Sequence, residues 1–199
     1  EAAAVGTIRS INRDDPIITA YRDHGHALAR GMNPTACMAE MFGKSTGCAK
    51  GKGGSMHMFD RPNWLFGGHG IVGAQTPVGT GLAFAARYEW EVLGHSVNHP
   101  DGKPVGPNER PPAKKKVSLT YLGDGALNQG ALHEAMNLAG LWDIPVIYVV
   151  ENNGYSMGTA ISRGTTMAHD LRAKAAAYGI RGEIIDGFDV VDLYNSFKP

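Results

Sequence analysis

VSLTYLGDGALNQG, residues 117–130, decides the fold of this chain. Its first six residues have the length and β-branched content of a buried strand, and the apolar run stops at a glycine turn. Asp124 therefore lies at a strand's carboxyl end, where open α/β sheets collect their ligands. Gly123 and Gly125 carry no Cβ, so the backbone beside Asp124 can approach phosphate oxygens closely. Downstream, Leu132, Ala135, Met136, Leu138 and Ala139 recur at helical spacing between Ala131 and Trp142, and Pro145 breaks the pattern. Val146 to Val150 then reads as a second buried strand. A right-handed crossover between parallel strands brings both carboxyl ends to one edge. Asp124 and Asn153 are thus expected to face one another there, in an α/β fold whose open, mostly parallel sheet is flanked by helices.

The pair has a chemistry. Magnesium takes near-octahedral oxygen with only one or two protein carboxylates, and water and ligand phosphate complete the shell. Asp124, the amide oxygen of Asn153 and a backbone carbonyl near Tyr155 meet that demand. Gly-Asp-Gly alone is also an ordinary turn; its pairing with Glu151-Asn152-Asn153 one helix and one strand later favours a metal–diphosphate site.

Elsewhere, Pro16 precedes a short strand at 17–21, and 22–31 reads as a polar loop. Asn33 and Pro34 supply an N-cap and first-turn pair that opens a helix to about Phe42. Residues 43–73 are glycine-rich with no sustained period, as functional or mobile segments are. A helix is expected from Pro77 through Leu82, Ala83, Ala86 and Trp90, with Gly79, Gly81 and Ala85 permitting close packing. Residues 94–116 turn to proline, glycine, asparagine and lysine, a solvated surface insertion ending in the charge run Lys114 to Lys116. A loop to Met167, a helix over 170–178, a strand near 183–185 and a capped helix from Asp189 complete the pattern. The expectation is a single domain over 1–199.

Composition narrows the function classes. Nineteen Lys and Arg balance nineteen Asp and Glu, so no global field recruits nucleic acid or an acidic membrane. Two cysteines, Cys37 and Cys48, make no disulfide framework, which suits a reducing compartment. No apolar run approaches the roughly twenty residues of a membrane helix, so a soluble protein is expected.

Three decoys are set aside. Gly68-His69-Gly70-Ile71-Val72-Gly73 has the spacing of a dinucleotide fingerprint, but 61–66, with Pro62, is a poor strand to precede it. Gly43-Lys44-Ser45 ends like a nucleotide loop, yet Met38 stands where its leading glycine belongs. His24, His26, Cys37, Cys48 and His57 lack paired zinc spacings, and His24 and His26 read as solvent-facing imidazoles. His57 and His69 lie in loops that could approach a ligand, without an assigned role.

The segments ITAYRDHG (18–25), GCAKGKGGSMHM (47–58), GGHGIVGAQ (67–75), GDGALNQG (123–130) and ENNGYSMG (151–158) together carry a resemblance. They resemble the alpha subunits of thiamine-diphosphate-dependent 2-oxo acid dehydrogenases, and most of all those acting on pyruvate. The resemblance implies a thiamine-diphosphate-binding fold. It implies magnesium held by Asp124, Asn153 and the carbonyl of Tyr155, with Tyr21 and Arg22 on the diphosphate. Gly70 and Val72 would meet the pyrimidine end, and Gly125 and Ala126 would give backbone contacts to the cofactor. The implied activity is oxidative decarboxylation of pyruvate with acyl transfer to a lipoyl-bearing acyltransferase, in an α2β2 heterotetramer whose beta subunit completes the active site. Branched-chain 2-oxo acids and acetoin are the alternatives within this chemistry; a non-catalytic diphosphate-binding module is the alternative outside it. The location implied is the cytoplasm in a bacterium or the mitochondrial matrix in a eukaryote. Against the family pattern the chain is expected to be truncated at both ends, since Glu1-Ala2-Ala3 matches the end of an upstream segment and Phe197-Lys198-Pro199 stops before a histidine- and serine-bearing loop. No catalytic acid or base is therefore assigned.

Overall fold

Four parallel strands form the central sheet of the computed structural model, which describes residues 1–98, 106, 108 and 111–198. They are β1 (Ile17–Ala20), β2 (Leu65–His69), β3 (Ser118–Gly123) and β4 (Val146–Glu151), in the spatial order β2-β1-β3-β4. A two-stranded antiparallel hairpin, β5 (Tyr155–Ser156) and β6 (Thr159–Ala160), follows β4. The helices are α1 (Ala2–Ser10), α2 (His24–Arg30), α3 (Pro34–Met41), α4 (Gln75–Tyr88), α5 (Gly130–Leu141), α6 (Ile161–Gly164), α7 (Arg172–Ala176) and α8 (Val190–Ser196).

β3 is buried on both faces, as a strand inside a helix-covered parallel sheet must be. On one face Leu119 and Tyr121 join Ile8, Ile17, Ala27, Met32, Cys37, Met58 and Leu65, under α1, α2 and α3. On the other, Leu122 joins Ala126, Leu127, Leu132 and Met136, under α5. Leu119, Leu122 and Leu132 have no exposure, each a contribution of about 1.5–3 kcal/mol from removal of apolar surface from water. The Tyr121 hydroxyl lies in the first face and pairs with Thr7 Oγ1 at 2.6 Å, which offsets its burial. Packing of α4 onto the sheet is close enough that Gly79 lies directly over Thr120 and Ile18.

Several elements match the sequence reading. The strand–helix–strand unit through β3, α5 and β4 is present within a residue or so of its expected bounds. Asn33 Oδ1 accepts from Thr35 N at 2.8 Å and caps α3, and Asp189 Oδ1 accepts from Val191 N and Asp192 N and caps α8.

Others are corrected. The expected polar loop at 22–31 is helical over α2 and closes on Gly31, whose φ of 105° turns the chain so that Met32 N–H reaches back to the Ala27 carbonyl at 3.0 Å. The expected irregular stretch 43–73 contains β2, so Gly68, the first of the fingerprint-like glycines, lies in a strand, and Gly70 and Gly73 follow it. No strand forms at 183–185, where Ile184 is largely exposed and Glu183 pairs with Arg181. The helix over 170–178 shortens to α7, α4 passes into a five-residue π turn at Glu89–Leu93, and α1 adds a helix that the sequence reading lacked. Much of the expected insertion 94–116 lies outside the described residues. Its end is not a purely solvated charge run: Lys116 is buried, 4.1 Å from the centroid of Trp64 and 3.9 Å from Asp14 Oδ2.

Candidate functional site

All four strands are parallel, so their carboxyl ends share one edge. After β1 the chain steps to β2 on one side, and β3 and β4 add on the other, which makes the β1/β3 boundary the point where the strand order reverses. A crevice opens at such a point. Tyr21 and Arg22 follow β1, Gly70 and Val72 follow β2, Asp124, Gly125 and Ala126 follow β3, and Asn153 and Tyr155 follow β4. Every residue expected at the site therefore lies along this edge. The register Gly123↔Glu151 places Asp124 one residue, and Asn153 two residues, beyond a paired position.

Asp124 opens a 3-10 turn, Asp124–Asn128, and is 2 % exposed. Its Oδ2 is buried with no hydrogen-bond partner among the described residues. An uncompensated carboxylate oxygen is expensive to desolvate, so the position suits an incoming cation. Beside it Gly125 presses against the β5–β6 hairpin: a Cβ there would lie 2.1 Å from Ser156 Oγ. A cavity of about 210 Å³ opens between the turn and the hairpin, lined by Asp124, Gly125, Asn128, Ser156 and Thr165 among others. Asn128 Nδ2 donates to Thr165 Oγ1 at 2.8 Å and braces its far wall. Asn152 Oδ1 accepts from Gly154 N (3.0 Å) and Asn153 Oδ1 from Tyr155 N (2.9 Å), successive Asx turns that leave each amide oxygen a second lone pair. A carboxylate, an amide oxygen and backbone carbonyls are the donor types magnesium takes, although Asn153 and Tyr155 do not line the cavity at Asp124.

At the β1 end Arg22 adopts φ = 62°, a left-handed conformation rare for a side-chain-bearing residue and frequent at functional turns. Its guanidinium lies 5.0 Å from the Tyr21 ring centroid. A second cavity, about 170 Å³, is lined here by Tyr21, Arg22, Asp23, His26 and Glu151 among others. Asp23 is 1 % exposed; Thr19 Oγ1 donates to its Oδ2 at 2.7 Å while Oδ1 has no hydrogen-bond partner among the described residues. Burial pushes its carboxyl above the ordinary aspartate range. His26 is not the solvent-facing imidazole expected of it: it packs edge-on against Tyr121 at 4.5 Å and its Nε2 is 3.5 Å from Glu151 Oε1. His24 Nε2 pairs with Ser55 Oγ at 2.8 Å.

The β2 loop is tied to the β3 turn. A Cβ at Gly73 would lie 2.7 Å from Gln129 Cγ, and Gln75 Nε2 donates to the Tyr121 carbonyl at 2.8 Å. Gly70 faces His57, and Val72, two residues on, is exposed.

Three contributors escaped the sequence reading: Asp23, Glu151 as a partner of His26, and Glu40, whose buried carboxylate gathers the glycine loop. The signal for Glu40 was an acidic residue just ahead of a stretch holding Gly43, Gly47, Gly51, Gly53 and Gly54.

A family model described as "Dehydrogenase E1 component" matches residues 1–199. The chain is 47 % identical over 199 residues to a Rickettsia typhi protein named pyruvate dehydrogenase E1 component subunit alpha, covering 100 % of this chain and 54 % of that protein. The Rhizobium meliloti protein of the same name is 47 % identical over 190 residues, covering 96 % and 48 %. A chloroplastic alpha-3 counterpart from Oryza sativa is 42 % identical over 193 residues, covering 97 % and 42 %. The chain thus spans about half the length of the curated relatives it matches. Among solved structures, transketolase from Leishmania mexicana superposes with a TM-score of 0.61 at 21 % identity, covering 98 % of this chain and 29 % of that one, a likeness of fold.

Proposed function

Because the chain belongs to the dehydrogenase E1 component family, we propose that it is the diphosphate- and magnesium-holding part of a pyruvate dehydrogenase alpha subunit dependent on thiamine diphosphate. The observation that carries this reading is the buried, unpartnered Oδ2 of Asp124 at a strand's carboxyl end, one parallel strand away from Asn153. The names of the relatives support pyruvate as the substrate.

In this reading Asp124, Asn153 and the Tyr155 carbonyl hold magnesium. Desolvation of Asp124 makes its charge act at full strength on the ion. Arg22, held in its left-handed turn beside Tyr21, offers a forked donor to diphosphate oxygens. Gly125 lets the backbone come close, and its N–H and that of Ala126 are available to the cofactor. Gly70 and Val72 line the side toward the pyrimidine ring. The bound coenzyme supplies the nucleophilic carbon and the electron sink for decarboxylation, and the protein supplies position and field. A beta subunit completes the active site, a lipoyl-bearing acyltransferase accepts the acyl unit, and the compartment is the bacterial cytoplasm or the mitochondrial matrix. Among the described residues no helix is long and apolar enough to cross a membrane.

Isothermal calorimetry of thiamine diphosphate with magnesium, on the purified protein with its beta subunit, tests the proposal. Asp124→Asn should weaken binding by about 100-fold or more, roughly 3 kcal/mol, the scale of removing one charged partner from a buried ion pair. An unchanged affinity would take Asp124 out of the metal shell and the reading with it.

A further inference from the structure

Between α3 and β2 the chain from 43 to 58 has no regular structure, and Glu40 is what orders it. The Glu40 carboxylate has no exposure, and it accepts hydrogen bonds from four backbone N–H groups. Ala49 and Gly51 donate to Oε2, both at 2.8 Å, and Gly53 and Gly54 donate to Oε1 at 2.7 and 3.0 Å. These charge-assisted bonds outweigh the desolvation of the carboxylate and hold its pKa below the ordinary value. The loop fits closely around it: a Cβ at Gly47 would lie 2.3 Å from Glu40 Oε2, and one at Gly51 2.4 Å from the Gly43 carbonyl carbon.

The far end of the loop is pinned as firmly. Met58 is fully buried in the core, and its carbonyl accepts from Gly68 N at 3.1 Å. Between these anchors the His57 ring stands at the carboxyl end of β2, with Nδ1 2.9 Å from the Gly68 carbonyl oxygen. A carbonyl only accepts, so Nδ1 carries a proton, and the tautomer this selects has Nε2 as its acceptor. That side of the ring meets Gly70, where a Cβ would lie 2.9 Å from Cε1 and 3.5 Å from Nε2. His57 is an exposed residue.

We propose that His57 is a further binding residue at this edge, its Nε2 accepting a hydrogen bond from the amino group on the pyrimidine ring of the cofactor, with Glu40 as its positioning residue. The inference rests on the cofactor reading above, which puts the pyrimidine end beside Gly70. Glu40 acts only through the loop: it sets where Ser55 and His57 leave the glycine turns and so where the imidazole stands.

The test uses the purified protein with its beta subunit, magnesium, thiamine diphosphate, and the analogue in which oxygen replaces the amino group. His57→Asn keeps an amide donor for the Gly68 carbonyl and removes the distal acceptor. It should weaken thiamine diphosphate about tenfold, the effect of one hydrogen bond, and reduce discrimination against the oxygen analogue by about the same factor. Glu40→Gln should give a similar loss, faster amide exchange at 49–54, and no further loss when combined with His57→Asn, because both changes remove one interaction. Nitrogen NMR should show His57 protonated at Nδ1 in the unaltered protein and a tautomer mixture in Glu40→Gln. Normal binding and discrimination by His57→Asn overturns this inference alone, as do losses that multiply to about 100-fold in the double variant. Absence of cofactor binding by the unaltered protein overturns the cofactor reading as well. If Glu40→Gln does not fold, the His57→Asn and analogue measurements still decide the role of His57.

Discussion

Replacing Gly79 by alanine sets helix propensity against packing within one helix, and Gly81, two residues on, provides the control. Both positions are interior to α4, where alanine is favoured over glycine by about 0.8–1 kcal/mol. A Cβ at Gly81 would have nothing within 4 Å, so Gly81→Ala should realise that gain in full. At Gly79 the same atom would lie 1.9 Å from Thr120 Oγ1 and 2.9 Å from both Thr120 Cβ and Ile18 Cγ2. Rotating Thr120 relieves only the first of these contacts. Carbon pairs rest at about 3.5–4.0 Å, so α4 must lift from the sheet by roughly half an ångström or more. That movement strains the hydrogen bond from Gln75 to the Tyr121 carbonyl and the one between Thr80 and Tyr148. Overpacking costs about 1–3 kcal/mol and the loosened bonds about 1 kcal/mol more, against a propensity gain of about 1 kcal/mol. Gly79→Ala should therefore destabilise by about 1–3 kcal/mol, which puts the two variants roughly 2–4 kcal/mol apart. Urea unfolding at constant m-value reads the difference as a shift in midpoint. A Gly79→Ala protein as stable as the unaltered chain would refute the packing argument.

Two further outcomes follow from buried charges. Arg30 donates through Nε, Nη1 and Nη2 to the carbonyls of Asn63, Asn12, Arg13 and Asp15, and burial lowers its pKa to about 10. Arg30→Lys should cost about 2–3 kcal/mol by thermal melting, since one ammonium cannot reach acceptors spread over a planar fork; a melting point within a degree of the parent would refute this. Glu40 and Asp23 should show opposite pH signatures. The Glu40 carboxyl lies lower in the folded chain than in the unfolded one, so it stabilises above the unfolded value of about 4.3 and that contribution is lost as pH falls through the folded value. The Asp23 carboxyl lies higher when folded, so stability falls as pH rises from the unfolded value of about 3.9 through the folded one. Relative to the parent, Glu40→Gln should lose stability at pH 7 and recover toward parity in acid, whereas Asp23→Asn should gain at pH 7 and lose that advantage in acid. Denaturation midpoints across pH 3–8 check both signs, and parallel curves would rule the assignment out.

What the sequence disclosed depended on how local each determinant is. β3, α5 and β4 were legible because an apolar run, a helical period and Pro145 are written within short windows. Asp124 and Asn153 were legible as a motif, and strand topology then put them on one edge. β2 was not legible, since LFGGH has two glycines and gains its ladder only by lying beside β1. α2 was hidden because His24 and Gly25 open it without a capping side chain; Asp23, just before it, accepts from Thr19 instead. The expected strand at 183–185 rested on Ile184 and Ile185, but β-branched residues favour a strand only where a neighbour pairs with them. Asp23 and Glu40 could not be read as buried, because their partners are a strand hydroxyl in one case and four loop amides in the other.

On the proposed reading the cofactor touches the chain just beyond β1, β2, β3 and β4, and so would act as a clamp on the entire sheet. Segments from residue 21 to residue 155 must come together before it can be held, so nascent chains cannot capture it until β4 has joined. A ligand at a hundred times its dissociation constant adds about 2.7 kcal/mol to the assembled form alone. Protease resistance should accordingly rise along all four strands together, including stretches that never touch the bound molecule.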